Sequence, residues 1–157
     1  MRRVNKLSII DQDYIFIDFS VDSSNDLFEK IGEVLIENGI VKDSYITALK
    51  EREEQFPTGL PLPIGVAIPH TEGIYVNEDK LVIATLSEPI KFVEMGSDDE
   101  LIDVSLIIMI VMKDGKSHLD MLQNIIGTVQ NQELIARIMN EKNTETIKNL
   151  LEQSILG

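Results

Sequence analysis

The stretch Val104-Ser105-Leu106-Ile107-Ile108-Met109-Ile110-Val111 is apolar at almost every position. A strand that is covered on one face alternates between apolar and polar residues, whereas a strand covered on both faces has a nearly continuous apolar run. The run is also far shorter than the roughly 20 residues that a membrane-spanning helix needs. It therefore predicts a strand within a sheet that has further layers packed on both sides.

Other segments on the N-terminal side of this run have the composition of strands. They are residues 14–19, 64–68, 81–86 and, as a short edge strand, 90–93. The segment at residues 58–63 is rich in glycine and proline and predicts a loop. The predicted fold class is therefore α/β, a mixed sheet of about five strands flanked by helices on both sides.

Helices are predicted before and after this central region. The stretch Ser23-Ser24-Asn25-Asp26 offers several helix caps, and Asp26-x-x-Glu29 resembles a capping box. Apolar residues then recur at the spacing of one helical face up to Gly39, a natural stop. A second helix opens near residues 43–44 and ends before Pro57, because the residue before a proline disfavours helical geometry. The C-terminal third is predicted to be helical, in segments that open at Ser117 and span residues 133–139 and 146–156.

Composition limits the possible functions. The chain has 157 residues, 43% of them hydrophobic, which predicts a single domain over residues 1–157. It has no cysteine, which excludes disulfides, thiolate zinc sites and cysteine nucleophiles. The net charge of −13 argues against nucleic-acid binding, because phosphate backbones require clustered lysine and arginine. The basic start at residues 1–6 lacks the apolar stretch of a secretory signal, so we expect a cytoplasmic protein that does not insert into the membrane.

The two histidines, His70 and His118, are the candidate reactive groups. His70 ends the segment Gly65-Val66-Ala67-Ile68-Pro69-His70, and the fixed φ of the preceding proline restricts the placement of its ring. An imidazole has an unperturbed pKa of about 6.5, so a neutral ring with a free lone pair is available near physiological pH. In a chain without cysteine, phosphoryl transfer through a phosphohistidine at His70 fits best.

His118 lies at the predicted start of a helix, where unpaired N–H groups attract anions. If the fold brings His118 and Arg52 beside His70, both would donate to a phosphoryl group. Thr58 and Gly59 would add a hydroxyl and a backbone N–H. Each residue also has a structural alternative: a loop position for His70, a helix-start position for His118, pairing with nearby glutamates for Arg52, and a turn for Thr58-Gly59.

The acidic cluster Ser97-Asp98-Asp99-Glu100 is the remaining candidate site. Its spacing matches no calcium-binding loop, and acidic clusters on loops are usually solvated surface. No metal site is predicted there.

Together these residues resemble the enzyme IIA components of the sugar phosphotransferase system, in the fructose/mannitol branch. That family carries an arginine, then Thr-Gly, then Gly-x-Ala-Ile-Pro-His, matched here by Arg52, Thr58-Gly59 and the segment ending at His70. A His-Leu pair that opens a later helix is matched by His118-Leu119. The string from Arg52 to Gly59 is similar to galactitol-type IIA proteins, although Leu60-Pro61-Leu62-Pro63 replaces part of the usual Thr-Gly-hydrophobic-Gly loop.

The resemblance implies a phosphocarrier that needs no cofactor. His70 would accept a phosphoryl group from the carrier protein HPr and pass it to a cysteine of a cognate IIB component. A membrane IIC permease, which takes up a sugar or sugar alcohol such as galactitol, would be an indirect partner. His118 and Arg52, with Thr58 and Gly59, would bind the phosphoryl oxygens. Leu60, Leu62 and Ile64 are candidates for the rim that docks these partners, because they lie near His70 in the sequence.

Two other functions remain open at this point. A regulatory IIA of the nitrogen-related type would use the same His70, but its phosphorylation state would control other proteins. A non-catalytic module released from a transcription regulator is a third possibility. The complete set of His70, His118 and Arg52 argues against that module.

Overall fold

Five strands form one mixed sheet in the order β1-β4-β5-β3-β2. The computed structural model describes residues 9–156, and the basic start at residues 1–6 lies outside them. The sheet is parallel between β1 and β4 and between β3 and β5, and antiparallel between β4 and β5 and between β2 and β3. The predicted mixed α/β sheet is confirmed. The strands are β1 (Ile10–Phe19), β2 (Gly59–Leu60), β3 (Val66–Ala67), β4 (Lys80–Val93) and β5 (Leu101–Val111).

Helices cover both faces of the sheet, as predicted. One face packs against α1 (Ser24–Glu37) and α2 (Tyr45–Gln55), which contribute to one core cluster. The other face packs against α3 (Gly115–Val129), α4 (Gln132–Asn140) and α5 (Thr144–Leu151), which contribute to a second cluster. Short helical turns occur at Gly73–Tyr75 and Glu152–Leu156. Within residues 9–156, the helices are all too short or too polar to cross a bilayer.

The apolar run of β5 supplies both cores. Ile107 and Met109 enter the cluster under α1 and α2, whereas Ile108 and Ile110 enter the cluster under α3 to α5. All four side chains are at most 1% exposed. Because successive side chains of a strand point to opposite faces, a continuous apolar sequence is what a strand between two helical layers requires.

The prediction that residues 90–93 form a separate edge strand is wrong. They are the end of β4, which lies between β1 and β5 and stays paired with β5. The register shifts between Thr85 and Ile90, and Pro89 lies in that interval. A proline lacks the N–H that the ladder needs, so the irregularity accommodates it without ending the strand. The segment predicted as the loop 58–63 likewise contains a strand, β2.

One predicted helix start is confirmed and another differs. α1 is capped by Ser23, one of the four candidate caps in the sequence, whose side chain accepts a hydrogen bond from the Asp26 N–H, so Asp26 lies inside the first turn. α3 begins at Gly115 because the Asp114 carboxylate accepts a hydrogen bond from the Ser117 N–H at 2.9 Å. The α3 start matters for the site, since it places His118 within the first turn.

Candidate active site

His70 is held at the end of the sheet by β3 and β5. The Pro69 carbonyl accepts a hydrogen bond from the Ile110 N–H at 3.1 Å, and His70 forms a β-bridge with Ile110. The His70 Nδ1–H donates to the Ile68 carbonyl at 2.8 Å. A carbonyl can only accept, so this bond places the proton of the neutral ring on Nδ1. The Nε2 lone pair is therefore free.

His118 comes to the same place from α3. Its backbone N–H donates to the Asp114 carbonyl at 2.9 Å, within the first turn. The His70 and His118 rings lie edge to face, with centroids 4.7 Å apart and an interplanar angle of 70°. Among the residues that the structure describes, none hydrogen-bonds the buried His118 Nε2. His118 thus brings a buried, unused polar atom beside the other ring.

Arg52 approaches from the last turn of α2. Its guanidinium lies over the Phe56 ring, with Cζ 4.2 Å from the ring centroid. The buried Arg52 Nε also has no hydrogen-bond partner within residues 9–156. Arg52, His70 and His118, which the sequence predicted to meet, therefore come together from three different elements.

These side chains line one open cavity of about 410 Å³ at the end of β5. Gly73 shapes its wall, because a Cβ at that position would lie 1.9 Å from the Lys113 carbonyl oxygen. Only glycine allows the two backbone segments to approach so closely. The lining consists of Arg52, His70, Thr71, Glu72, Gly73, Ile74, Lys113, Gly115, His118, Leu119 and Leu122.

Electrostatics keep both imidazoles neutral near pH 7. Burial lowers the pKa of His70, and the Arg52 charge lowers it further, against the Ile68 hydrogen bond, which raises it. The pKa of His118 falls to about 4, mainly through burial and then through the nearby His70 and Arg52. Because desolvation and like charge both disfavour the imidazolium form, the site holds neutral rings beside the permanent Arg52 cation.

Residues 8–154 match the family model described as phosphoenolpyruvate-dependent sugar phosphotransferase system, EIIA 2. This chain belongs to that family. The resemblance to enzyme IIA components that the motifs indicated is therefore confirmed.

Two curated relatives of this EIIA family member are named for sugar alcohols. It is 33% identical to the mannitol-specific phosphotransferase enzyme IIA component of Staphylococcus aureus over 146 residues, which cover 93% of this chain and 96% of the relative. It is 28% identical to the galactitol-specific EIIA component of Escherichia coli over 126 residues, which cover 80% of this chain and 83% of the relative. The mannitol relative is the more similar of these two, so the galactitol-like string does not single out galactitol.

A solved structure shares the fold. It is the complex of enzyme IIA and phosphorylated enzyme IIB for mannitol from Escherichia coli, with a TM-score of 0.73 and 19% identity, covering 96% of this chain and 98% of that one. At this identity the likeness shows the fold alone. It agrees with the mixed sheet and the two helical layers described above.

Thr58 and Gly59 lie outside the cavity lining of this EIIA chain. The Thr58 N–H and hydroxyl donate to the two carboxylate oxygens of Glu53, at 2.7 and 2.9 Å. Gly59 pairs with Ala67 in the sheet. Both donor groups of Thr58 are therefore used by Glu53 in this structure, and they link α2 to the start of β2.

Glu53 was missed by the sequence reasoning. Burial raises its pKa to about 7, although both Thr58 hydrogen bonds act in the opposite direction. The only sequence signal was a carboxylate five positions before a threonine, across the Pro57 break. Its partner could not be inferred, because the path of the chain after α2 decides which groups reach the Glu53 carboxylate.

The exposed apolar residues around the cavity are not the ones that the sequence predicted for partner docking. Leu60 is 9% exposed and belongs to a core cluster, against which Leu62 and Ile64 also pack. None of the three lines the cavity. Instead, Ile74 and Leu119 line it and are 64% and 53% exposed. Ile74 follows His70 closely in the sequence, but only the short helical turn at Gly73–Tyr75 turns it outward.

Proposed function

We propose that this chain is a phosphocarrier in which His70 Nε2 accepts a phosphoryl group from phospho-HPr and passes it to a cysteine of a cognate IIB component. The observation that carries this proposal is the hydrogen bond from His70 Nδ1–H to the Ile68 carbonyl. It fixes the tautomer and leaves Nε2 as the nucleophile, in a ring that the surroundings keep neutral.

The transfer proceeds as an exchange of N–P and S–P bonds. The His70 Nε2 lone pair attacks phosphorus while the bond from phosphorus to the donor's ring nitrogen breaks, and the donor's ring keeps that electron pair. The Ile68 carbonyl stabilises the positive charge that then develops at Nδ1–H. In the second step a partner thiolate attacks phosphorus, the N–P bond breaks, and His70 returns to its neutral form.

Arg52 and His118 stabilise the transferring group. Phosphoryl transfer depends mainly on positioning and on donors aimed at the equatorial oxygens. The Arg52 guanidinium supplies permanent charge and several N–H donors. In the tautomer that carries its proton on Nε2, His118 donates from the atom that lacks a protein partner in residues 9–156. No metal or organic cofactor takes part in this scheme.

The partners dock around the cavity mouth, where Ile74 and Leu119 are exposed. A IIB partner is supported by the complex of a protein of the same fold with a phosphorylated IIB enzyme. HPr supplies the phosphoryl group, and a membrane IIC permease carries the sugar. The relatives' names support a sugar alcohol of the mannitol or galactitol kind as the transported substrate.

The test is to incubate the protein with enzyme I, HPr and phosphoenolpyruvate and to locate an acid-labile phosphate by mass spectrometry. We expect one phosphoryl group on His70 and no label in His70→Ala. Passage to a galactitol- or mannitol-type IIB establishes the transport role. Labelling with no passage to either points to the regulatory type, and a wild-type protein that stays unlabelled overturns the proposal.

A further inference from the structure

We infer that Phe56 is a positioning residue: its ring holds the Arg52 guanidinium at the cavity mouth and leaves the guanidinium N–H groups free for a phosphoryl group. The inference deepens the proposed function and rests on it for the identity of the ligand. The geometry on which it depends is independent of that identity.

The end of α2 creates the contact. The Phe56 N–H donates to the Arg52 carbonyl at 2.8 Å, which closes the last turn of the helix. Residues four apart on a helix lie on the same face, and Pro57 prevents the helix from continuing. The aromatic ring is thereby placed under the guanidinium, with Cζ 4.2 Å from its centroid.

In the described part of the chain, Arg52 is not engaged by acidic side chains, although Glu51, Glu53 and Glu54 adjoin it in sequence. Within residues 9–156 every ion pair uses a lysine as its cation. Glu53 is committed to Thr58 instead. A carboxylate partner would occupy the N–H fork that an incoming phosphoryl group needs, whereas an aromatic face attracts the cation and leaves that fork open.

Core packing does not account for Phe56. Its side chain is 54% exposed, and it belongs to neither core cluster of residues 9–156. A large apolar ring that stays half exposed gains little from burial, so its presence beside a candidate site calls for another explanation. The contact with Arg52 gives this ring a role that burial does not.

The test combines Phe56→Leu with the conservative control Phe56→Tyr, each made in the wild-type and Arg52→Gln backgrounds. An exposed cation–π contact corresponds to about a two- to fivefold effect. We expect Phe56→Leu to slow His70 phosphorylation by that factor and Phe56→Tyr to keep the wild-type rate. In the Arg52→Gln background the two Phe56 variants should transfer equally fast, because the residue that Phe56 positions is gone.

A second readout needs no phosphoryl donor. The Arg52 charge lowers the pKa of both histidines, so a displaced guanidinium should raise their titration midpoints in NMR. We expect that rise in Phe56→Leu and its absence in Phe56→Tyr. The inference is overturned if Phe56→Leu slows His70 phosphorylation equally in the wild-type and Arg52→Gln backgrounds. It is also overturned if the histidine titration midpoints of Phe56→Leu equal those of the wild type. A wild-type protein that cannot be phosphorylated overturns the proposed function, and the NMR titration then still decides the role of Phe56.

Discussion

The His70 and His118 rings lie 4.7 Å apart, edge to face. At this distance a positive charge on one ring disfavours a positive charge on the other, and the His70 charge contributes to the low pKa of His118. A phosphoryl group on the neutral His70 ring would instead place negative charge beside His118. That charge would favour a protonated, donating His118.

From this relationship we predict that His118→Ala slows onward transfer to IIB more than it slows labelling of His70. Loss of a donor to a developing charge reduces transfer by on the order of 100-fold. His118→Gln, which keeps an N–H donor, should recover part of the rate. Rapid-quench measurement of the two half-reactions separates these effects, and normal onward transfer by His118→Ala would remove His118 from the site.

The Glu53 carboxyl should make stability depend on pH. Burial raises its pKa in the folded protein from 4.5 to about 7. Between these values the unfolded chain binds fewer protons at this group, so its stabilising contribution is present below pH 4.5 and is lost as pH rises through 7. The two histidines, whose pKa values are lowered, act in the opposite direction.

Because of those opposing histidines, the effect of Glu53 appears only as a difference between variants. Urea unfolding of wild type and Glu53→Gln at several pH values should show Glu53→Gln gaining stability relative to wild type as the pH rises from about 4.5 to about 7.5. Glu54→Gln, at the exposed neighbouring position, serves as the control. Parallel pH profiles for wild type and Glu53→Gln would contradict the prediction.

Gly73→Ala should destabilise the protein and deform the cavity wall. The added Cβ would lie 1.9 Å from the Lys113 carbonyl oxygen, and a backbone atom cannot move aside as a side chain can. Overpacking of this kind costs about 1–3 kcal/mol. Gly127→Ala is the matched control, since a Cβ added there would meet nothing within 4 Å in residues 9–156 beyond the backbone of α3 itself, and alanine favours helix. Thermal unfolding of both variants measures the contrast.

Ile74 and Leu119 should contribute to partner docking. Ile74→Glu and Leu119→Glu are each expected to raise the KM for the IIB acceptor by roughly tenfold, or about 1.4 kcal/mol. Leu101 is 59% exposed at the opposite end of β5 from the cavity, roughly 30 Å away for a strand of this length. Leu101→Glu should therefore leave KM unchanged. Equal KM values for all three variants would exclude this docking surface.

Much of the architecture could be predicted because its signals are local. The unbroken apolar run of β5 indicated two covering layers, and the helical spacing before Gly39 indicated α1. The same reasoning failed at Pro89, where a register shift allows β4 to continue, and at residues 58–63, where β2 forms from only two residues. In both places pairing with a distant strand decided the structure, and single-strand patterns contain no information about that partner.

The candidate site was likewise predicted in part from local sequence and decided in part by tertiary packing. The order of residues along the chain was enough to select His70, Arg52 and His118 and to indicate the family, because backbone context and motif spacing are properties of contiguous sequence. Only the folded chain decided that Nε2 of His70 is the free nitrogen, that Thr58 is bound to Glu53, and that Ile74 is exposed while Leu60 is buried. Those outcomes depend on how α2, the end of β3 and the start of α3 meet at one end of β5, and long-range packing sets that arrangement.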